Sequence, residues 1–223
     1  MHVSLSLDKS LSHDVAIMVD VLRASTTITV ALNNFDKVVA VKNKNDAIKL
    51  SEKHNAILAG EREGATIEGF DAGNSPVEIM DLSGDTLVLT TSNGTRILEG
   101  MNAKSLVGSF VNAKATAELA SKIAEDHIEV VMAGVRGRFA IEDFLGAGEI
   151  ISNLTDYKLD EMSQAAYMAS RDEKMVNKAV FNSESAQGLK KLGFSEDVEF
   201  CINKDIYDIV PVYENGIITK DKD

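Results

Sequence analysis

The chain has 223 residues, of which 44% are hydrophobic and 26% are charged, values that are ordinary for a globular protein with one large α/β domain. Its formal net charge of −12 argues against nucleic acid as a partner, because binding to a phosphate backbone depends on clustered lysine and arginine. A single cysteine excludes an internal disulfide, and no apolar run approaches the ~18 residues that span a bilayer, so we expect a cytoplasmic protein without a membrane partner.

Up to residue 154, short β-branched runs alternate with polar turns and helical stretches, a pattern typical of α/β proteins. Six runs are apolar enough for strands of a sheet that is covered on both faces: 15–20, 37–41, 56–59, 86–90, 105–108 and 129–133. Helices should fill the gaps between them. The best-marked helix starts are Ser75-Pro76, which combines a capping box with proline at the first helical position, and Asn112 before residues 113–125. A further helix is predicted over residues 141–154.

After residue 154 the composition becomes polar and helical, with Ser183 predicted as an N-cap and Gly193 as a helix stop. No strand is predicted there, and we interpret residues 155–195 as a helical insertion or subdomain within a single domain of residues 1–223. Strands are predicted again at 199–202 and 208–213, where Pro211 indicates an edge strand or a strand start. The tail, 220–223, is expected to fray.

Polar segments follow four of the predicted strands: 20–27, 60–76, 90–96 and 134–143. Ligands of open α/β sheets bind outside the carboxyl ends of the strands, so we expect these segments to meet. Five of the six arginines lie in them, and the arginine fork suits phosphate or sulfonate oxygens: Arg23, Arg62, Arg96, Arg136 and Arg138. The pattern favours an anion pocket, although each arginine could instead form an ion pair with an acidic neighbour.

The first segment places a carboxylate, a guanidinium, hydroxyl groups and helix N–H groups at one strand end, a set that suits a phosphate and a divalent cation. Asp20 is the best candidate for a metal ligand, because a carboxylate that closes an apolar strand is costly to desolvate without a cation or hydrogen bonds. In the third segment, residues 91–96 could form a nest of N–H groups for an anion, or only a turn and a helix cap.

Several common phosphatase and hydrolase sites are disfavoured. None of the four histidines lies in the four polar segments, which argues against Ser-His-Asp or histidine-phosphatase chemistry. Cys201 precedes no phosphate-binding loop, so we interpret it as a core residue. Leu22 stands where the haloacid-dehalogenase pattern requires a second aspartate, and neither a GxGxxG nor a P-loop motif is present. Metal-assisted chemistry with carboxylates, arginines and hydroxyls remains.

Five motifs in this order resemble the 2-phosphosulfolactate phosphatase family: DVLRASTT at 20–27, GER at 60–62, EGFDAGNSP at 68–76, TTSNGTR at 90–96 and GSFVNA at 108–113. The resemblance continues through Glu142-Asp143 and covers nearly the whole chain. It implies a Mg²⁺-dependent enzyme of coenzyme M biosynthesis that hydrolyses (R)-2-phospho-3-sulfolactate to 3-sulfolactate and phosphate. It also implies a three-layer α/β/α fold with a mostly parallel or mixed central sheet.

The chain departs from this family in two places. The segment at 134–138 carries two arginines, Arg136 and Arg138, where the family is expected to be less basic. They could bind a sulfonate or form a surface ion pair. Gly146 stands where a cysteine is common, so a shared cysteine nucleophile is not expected.

The resulting hypothesis divides the candidate residues by role. Mg²⁺ is assigned to Asp20, with help from Glu68 or Asp71 and from Asp143. Stabilisation of the phosphoryl oxygens is assigned to Arg23, Arg62 and the N–H groups of Asn93, Gly94 and Thr95. The substrate's carboxylate and sulfonate are assigned to Arg96, Arg136 and Arg138. The attacking group is either water or a hydroxyl of Ser25, Thr26 or Thr91.

Alternatives stay open at this point. The chain could act on another 2-phospho acid, or it could be a non-catalytic sensor of a phosphorylated or sulfonated metabolite, because fold and pocket alone do not determine specificity. The expected partner is a small anionic phosphorylated substrate, and a homodimer is a reasonable default for such an enzyme.

Overall fold

The computed structural model describes residues 1–221, which contain eleven strands in one sheet. The strands are β1 His2–Leu7, β2 Val15–Val19, β3 Phe35–Ala40, β4 Ile57–Arg62, β5 Ala65–Thr66, β6 Gly84–Thr90, β7 Lys104–Gly108, β8 His127–Met132, β9 Lys158–Leu159, β10 Pro211–Glu214 and β11 Ile217–Lys220. The helices are α1 Ala24–Asn34, α2 Lys44–His54, α3 Pro76–Met80, α4 Gly94–Glu99, α5 Ala113–Ile123, α6 Ile141–Ser152, α7 Glu161–Ala169, α8 Glu173–Phe181, α9 Glu184–Lys191 and α10 Ser195–Cys201. The predicted α/β class is confirmed.

The sheet has the order β5-β4-β6-β3-β11-β10-β7-β2-β8-β1-β9. Neighbours pair in parallel from β4 to β3 and again from β7 to β9. The antiparallel hairpin β10–β11 joins these two parallel halves by pairing with β7 on one side and β3 on the other. The sheet is therefore mixed and mostly parallel, as the family resemblance implies.

Helices cover both faces of the sheet, and β2 shows why. Its alternate residues Val15, Ile17 and Val19 pack into one core with α5 and α6, while Ala16 and Met18 pack into another core with α1. Side chains of a strand point alternately to opposite faces, so a continuous apolar run is the pattern of a strand that is buried on both sides.

Most predicted helix boundaries are confirmed by the capping contacts. The Ser75 side chain accepts the Glu78 N–H at 3.1 Å, and Pro76 is the first residue of α3. Ser183 caps α9 by accepting the Ala186 N–H at 3.1 Å. Gly193 adopts a φ of +91° directly after this helix, which is the conformation that favours glycine at a helix end.

One predicted strand is wrong, and four strands were not predicted. Residues 199–202 belong mainly to α10, because Val198 and Cys201 are buried on one face at the helical spacing of three. The missed strands are β1, β5, β9 and β11, and β9 lies in the region where no strand was expected. They are polar or very short, so their pairing partners rather than their own patterns define them.

The last predicted strand begins at Pro211, which confirms the strand-start interpretation, but β10 lies inside the sheet and not at its edge. Lys220 pairs with Pro211 as the last residue of β11, so the predicted fraying does not apply to it. Residues 222 and 223 of the predicted frayed tail lie outside the described residues. No helix in residues 1–221 is long and apolar enough to cross a membrane.

Candidate active site

A cavity of about 290 Å³ opens beyond the carboxyl ends of the parallel strands, where the polar segments were predicted to meet. All four segments contribute to its lining, through Asp20, Glu61, Asn93 and Arg138 among others. A further wall comes from α9, which sequence analysis had left without a role. Its lining residues are Ser185, Gly188 and Leu189.

Asp20 lies directly after β2, is only 7% exposed, and contacts the N-termini of two helices. Its Oδ1 accepts the Ala24 N–H at the start of α1, at 3.3 Å. The Gly94 N–H at the start of α4 also bonds to this carboxylate. A side chain on Gly94 would be too close, because its Cβ would lie 2.8 Å from the Ala24 Cβ and 3.2 Å from Asp20 Oδ2. The glycine thus allows both helices to approach one carboxylate.

These two N–H groups do not fully compensate the burial of Asp20. Burial, together with the charges of the nearby carboxylates of Glu61 and Glu142, raises the pKa of Asp20 to about 7 against the opposing effect of the N–H groups. Glu142 is itself buried, with only 3% of its surface exposed. The site is therefore rich in negative charge that a proton or a cation would stabilise.

Asp143 is buried beside Asp20 but has a different environment. Its Oδ1 accepts the Val21 N–H at 2.8 Å, and its Oδ2 accepts the Gly134 N–H at 2.9 Å. Burial, together with the charges of Asp20 and Glu142, raises its pKa. Because both oxygens bind backbone N–H groups, this carboxylate links the chain after β2 to the chain after β8.

Arg23 is buried in the cavity wall with only 2% of its surface exposed. Its Nη1 donates to Asp197 Oδ2 at 2.6 Å, and its Nη2 donates to the Gly64 carbonyl at 2.7 Å. The guanidinium carbon lies 4.5 Å from the centre of the Phe194 ring. The Ser75 hydroxyl holds the other oxygen of Asp197 at 2.6 Å. Arg23 is thus fixed by residues of α10 and of the loop before α3.

Sequence analysis missed Asp197 because it lies 174 positions from Arg23, outside the four polar segments. Its local pattern, an acidic residue in the first turn of a helix, is common on protein surfaces. No feature of the sequence distinguishes this buried aspartate from such a surface residue.

Glu61 connects two segments of the cavity wall. It accepts the Gly64 N–H at 2.8 Å in its own turn and the Ser92 N–H at 2.6 Å in the loop before α4. Asn93 in that loop lines the cavity and accepts the Arg136 N–H at 3.4 Å. The loops after β4, β6 and β8 are therefore held together by a glutamate and an asparagine.

The candidate hydroxyl nucleophiles are buried and bonded to their own segments. Ser25 Oγ accepts the Asp20 N–H at 2.8 Å, and Thr26 Oγ1 donates to the Val21 carbonyl at 3.2 Å. Thr91 Oγ1 accepts the Thr95 N–H at 3.2 Å, while the Thr95 hydroxyl donates back to the Thr91 carbonyl. None of the three candidate nucleophiles is among the described residues that line the cavity.

The structure brings together three of the five arginines from the polar segments. Arg23 lines the interior of the cavity, and the more exposed Arg136 and Arg138 line it as well. Arg136 also forms an exposed ion pair with Glu63. The other two do not line the cavity: Arg62 donates to the Lys42 carbonyl at 3.0 Å, and Arg96 pairs with Asp8.

Two of the four predicted metal ligands also lie away from the cavity. Glu68 and Asp71 are exposed, and Asp71 Oδ2 accepts the Leu58 N–H at 2.8 Å. Within residues 1–221, no three histidine, cysteine, aspartate or glutamate side chains form a ready metal site. Mg²⁺ nevertheless needs only one or two carboxylates when water and substrate oxygens complete its shell. Asp20, with its raised pKa and acidic neighbours, fits such a site.

The two positions relevant to cysteine chemistry are buried. A Cβ on Gly146 would lie 2.5 Å from a methyl group of Val21, so α6 needs glycine there to pack against the chain after β2. Cys201 is fully buried, and burial raises the pKa of its thiol to about 12. It stays a neutral thiol near pH 7 and serves as a core residue, as predicted.

Comparison with known proteins identifies the family of this chain. The family model described as 2-phosphosulpholactate phosphatase matches residues 2–216. The chain is 49% identical over 218 residues to a 2-phosphosulfolactate phosphatase of Methanothermobacter thermautotrophicus, covering 98% of this chain and 95% of that one. It is 39% identical over 211 residues to a 2-phosphosulfolactate phosphatase of Methanocaldococcus jannaschii, covering 90% and 89%. A probable 2-phosphosulfolactate phosphatase of Pseudothermotoga lettingae is 39% identical over 202 residues, covering 89% of each chain. The chain therefore belongs to the 2-phosphosulpholactate phosphatase family of phosphoric monoester hydrolases.

Proposed function

We propose that the cavity beside Asp20 is the active site in which this chain hydrolyses 2-phosphosulfolactate to sulfolactate and phosphate, a reaction of coenzyme M biosynthesis. Family membership indicates the substrate. The observation that supports the location is the meeting of Asp20, two helix N-termini and the buried Arg23 at one cavity. Helix N-termini and arginine are the groups that proteins use to hold phosphate.

The distribution of charge supports an orientation for the substrate, which carries phosphate, carboxylate and sulfonate groups. Arg23 is buried and braced by Asp197, so it suits the phosphoryl group, whose charge changes during the reaction. Arg136 and Arg138 are exposed at the same cavity and suit the carboxylate and sulfonate. This orientation leaves no contact for Arg62 or Arg96, the two arginines that do not line the cavity.

Mg²⁺ is part of the proposal, and Asp20 would hold it together with Glu61 or Glu142. These three carboxylates are buried and close enough for their charges to raise the pKa of Asp20. A bound Mg²⁺ would lower the charge of the phosphoryl group and would keep Asp20 ionised. Asp143 would contribute by positioning, because its two oxygens hold the chain after β2 and the chain after β8 together beside Asp20.

The attacking group in this proposal is water. The hydroxyls of Ser25, Thr26 and Thr91 take part in the backbone contacts that shape the strand ends, and none of them lines the cavity. The water oxygen forms a bond to phosphorus and the ester P–O bond breaks. One water proton is lost from the attacking oxygen, and the leaving oxygen takes up a proton to become the 2-hydroxyl of sulfolactate.

The test is phosphate release from a panel of phosphorylated 2-hydroxy acids, with and without Mg²⁺, compared by kcat/KM. We expect the highest kcat/KM for 2-phosphosulfolactate and loss of activity in EDTA. A higher kcat/KM for another 2-phospho acid would change the assigned substrate. Tight binding of 2-phosphosulfolactate without turnover would instead favour a metabolite sensor.

We also propose that the enzyme acts in the cytoplasm as a homodimer. A single cysteine, buried as a neutral thiol, suits a reducing compartment. Light scattering should give twice the mass of one chain. The mass of a single chain would contradict the dimer without affecting the assignment of the active site.

A further inference from the structure

Two buried side-chain atoms within residues 1–221 have no hydrogen-bond partner: Asn74 Oδ1 and Thr116 Oγ1. Their surroundings differ. Asn74 is 3% exposed and lines the cavity at Asp20, whereas Thr116 belongs to α5 and packs its methyl group towards Gly108. An unpaired buried acceptor is costly, so the one that belongs to a lining residue of a ligand cavity indicates a hydrogen bond that forms when the site is occupied.

Contacts of Asn74 and of the next residue hold Asn74 in place, and one of them also involves the ion-pair partner of Arg23. The Asn74 carbonyl accepts the Thr27 hydroxyl at 3.2 Å, which fixes the residue against α1. The next residue, Ser75, caps α3 and donates to Asp197, the partner of Arg23. The carboxamide is therefore presented from a rigid support, as a group that positions a reactant must be.

The chemistry of the reaction limits what can bind to Asn74 Oδ1. This atom accepts hydrogen bonds, but the phosphate, carboxylate and sulfonate groups of the ionised substrate are acceptors too. The O–H donors of the reaction are the attacking water and the hydroxyl of the product. The water is the one that must be oriented before the P–O bond breaks.

We propose that Asn74 positions the attacking water, with its Oδ1 accepting one hydrogen of that water while the oxygen faces phosphorus. This inference rests on the proposed function and deepens it, because it assigns a role to a residue of the cavity that the hypothesis from sequence did not include. Orientation of a reactant affects the chemical step more than the binding of the substrate.

The test compares Asn74→Ala and Asn74→Asp with Thr116→Val. The alanine variant should lower kcat about 100-fold with little change in KM. The aspartate variant keeps an acceptor of the same shape, so it should retain more of kcat than alanine does, while its added charge raises KM for the anionic substrate. Thr116→Val removes the other unpaired atom outside the cavity and should leave kcat and KM unchanged.

Other outcomes would overturn the inference and are distinguishable. A raised KM with normal kcat in Asn74→Ala would make the residue a contact of the substrate. Activity restored by higher Mg²⁺ would make it a metal ligand, and weaker inhibition by sulfolactate with unchanged kcat would make it a contact of the product. Wild-type kinetics in both Asn74 variants would exclude a role. In each case the wild-type enzyme still releases phosphate, whereas an inactive wild-type chain would contradict the proposed function itself.

If Asn74→Ala fails to fold by circular dichroism, Asn74→Leu takes its place, because leucine is close to asparagine in size and has no acceptor. A lowered kcat with little change in KM in that variant supports the positioning of water. Loss of kcat to the background rate in a folded Asn74→Asp variant overturns it.

Discussion

Glu129 and Asp20 are two buried carboxylates that differ in how fully the protein provides them with hydrogen-bond donors. Glu129 lies on β8, where it pairs in register with Ala16 of β2, and Asp20 lies just beyond the other end of β2. Glu129 is 3% exposed and accepts hydrogen bonds from the hydroxyls of Ser6 and Ser10, both at 2.6 Å. It also accepts the N–H groups of residues 11 and 12, both at 2.8 Å.

These donors reverse the effect of burial on the pKa. Burial alone would raise the pKa of Glu129, but the hydrogen bonds from Ser10, Ser6 and the two N–H groups lower it below the ordinary value. Asp20 has only two N–H donors, and the charges of Glu61 and Glu142 oppose their effect. Burial therefore raises the pKa of Asp20 to about 7. A buried carboxylate with a full set of hydrogen-bond donors stabilises the fold. A buried carboxylate with too few donors, when it lies in a cavity, is available to a ligand.

The largest expected effect concerns Asp20. Asp20→Asn keeps the shape of the side chain but removes its charge, so we expect kcat/KM to fall about 1000-fold. The folded state should persist, because a repulsive buried charge is lost. Near-normal turnover in a folded Asp20→Asn variant, joined by the same result for Arg23→Ala, would show that this cavity is not the active site.

The next effect concerns the buried partner of Arg23. Asp197→Ala leaves the guanidinium without its ion pair, so the free energy of unfolding in urea should fall by about 3–5 kcal/mol. Asp46→Ala, which removes the exposed partner of Lys49, is the matched control and should change stability by less than about 0.5 kcal/mol. Equal effects for the two variants would contradict the bracing role of Asp197.

A smaller effect is expected for Glu129, the carboxylate that accepts four hydrogen bonds. Glu129→Gln places an amide donor among four donors, so the free energy of unfolding should fall by about 1–3 kcal/mol. Because Glu129 is remote from the cavity lining, kcat/KM per folded molecule should stay unchanged. A loss of kcat/KM with unchanged stability would contradict the division of roles, in which Glu129 stabilises the fold and Asp20 serves the active site.

The last prediction is a pH dependence of stability, measured in EDTA. The folded pKa of Asp20 is raised to about 7 from an unfolded value of about 3.9, so the folded state binds more protons between these pH values. Stability should therefore decrease as the pH rises from about 4 to 7, by at most about 1.4 kcal/mol per pH unit from this group. Asp20→Asn should remove this slope. The contribution of Glu129 to stability changes with pH in the opposite direction. Its lowered pKa stabilises the fold at neutral pH, and this contribution is lost in acid.

The sequence predicted the central strands well because a strand buried on both faces must be apolar along its whole length, as β2 is. It failed for β1 and β11, whose neighbours β8 and β3 supply the pairing, and for residues 199–202, where a short apolar run lies on a helix. Short apolar runs do not distinguish the two structures without their packing partners.

The sequence by itself determined which chemistry could gather at the strand ends: Asp20, Arg23 and the arginines Arg136 and Arg138, in motifs that resemble one phosphatase family. Only the tertiary structure decided which of these groups share a cavity, and it added α9, Asp197 and Asn74. The physical reason is distance along the chain. Burial, pairing and pKa depend on contacts between residues far apart in sequence, such as the 174 positions that separate Arg23 from Asp197.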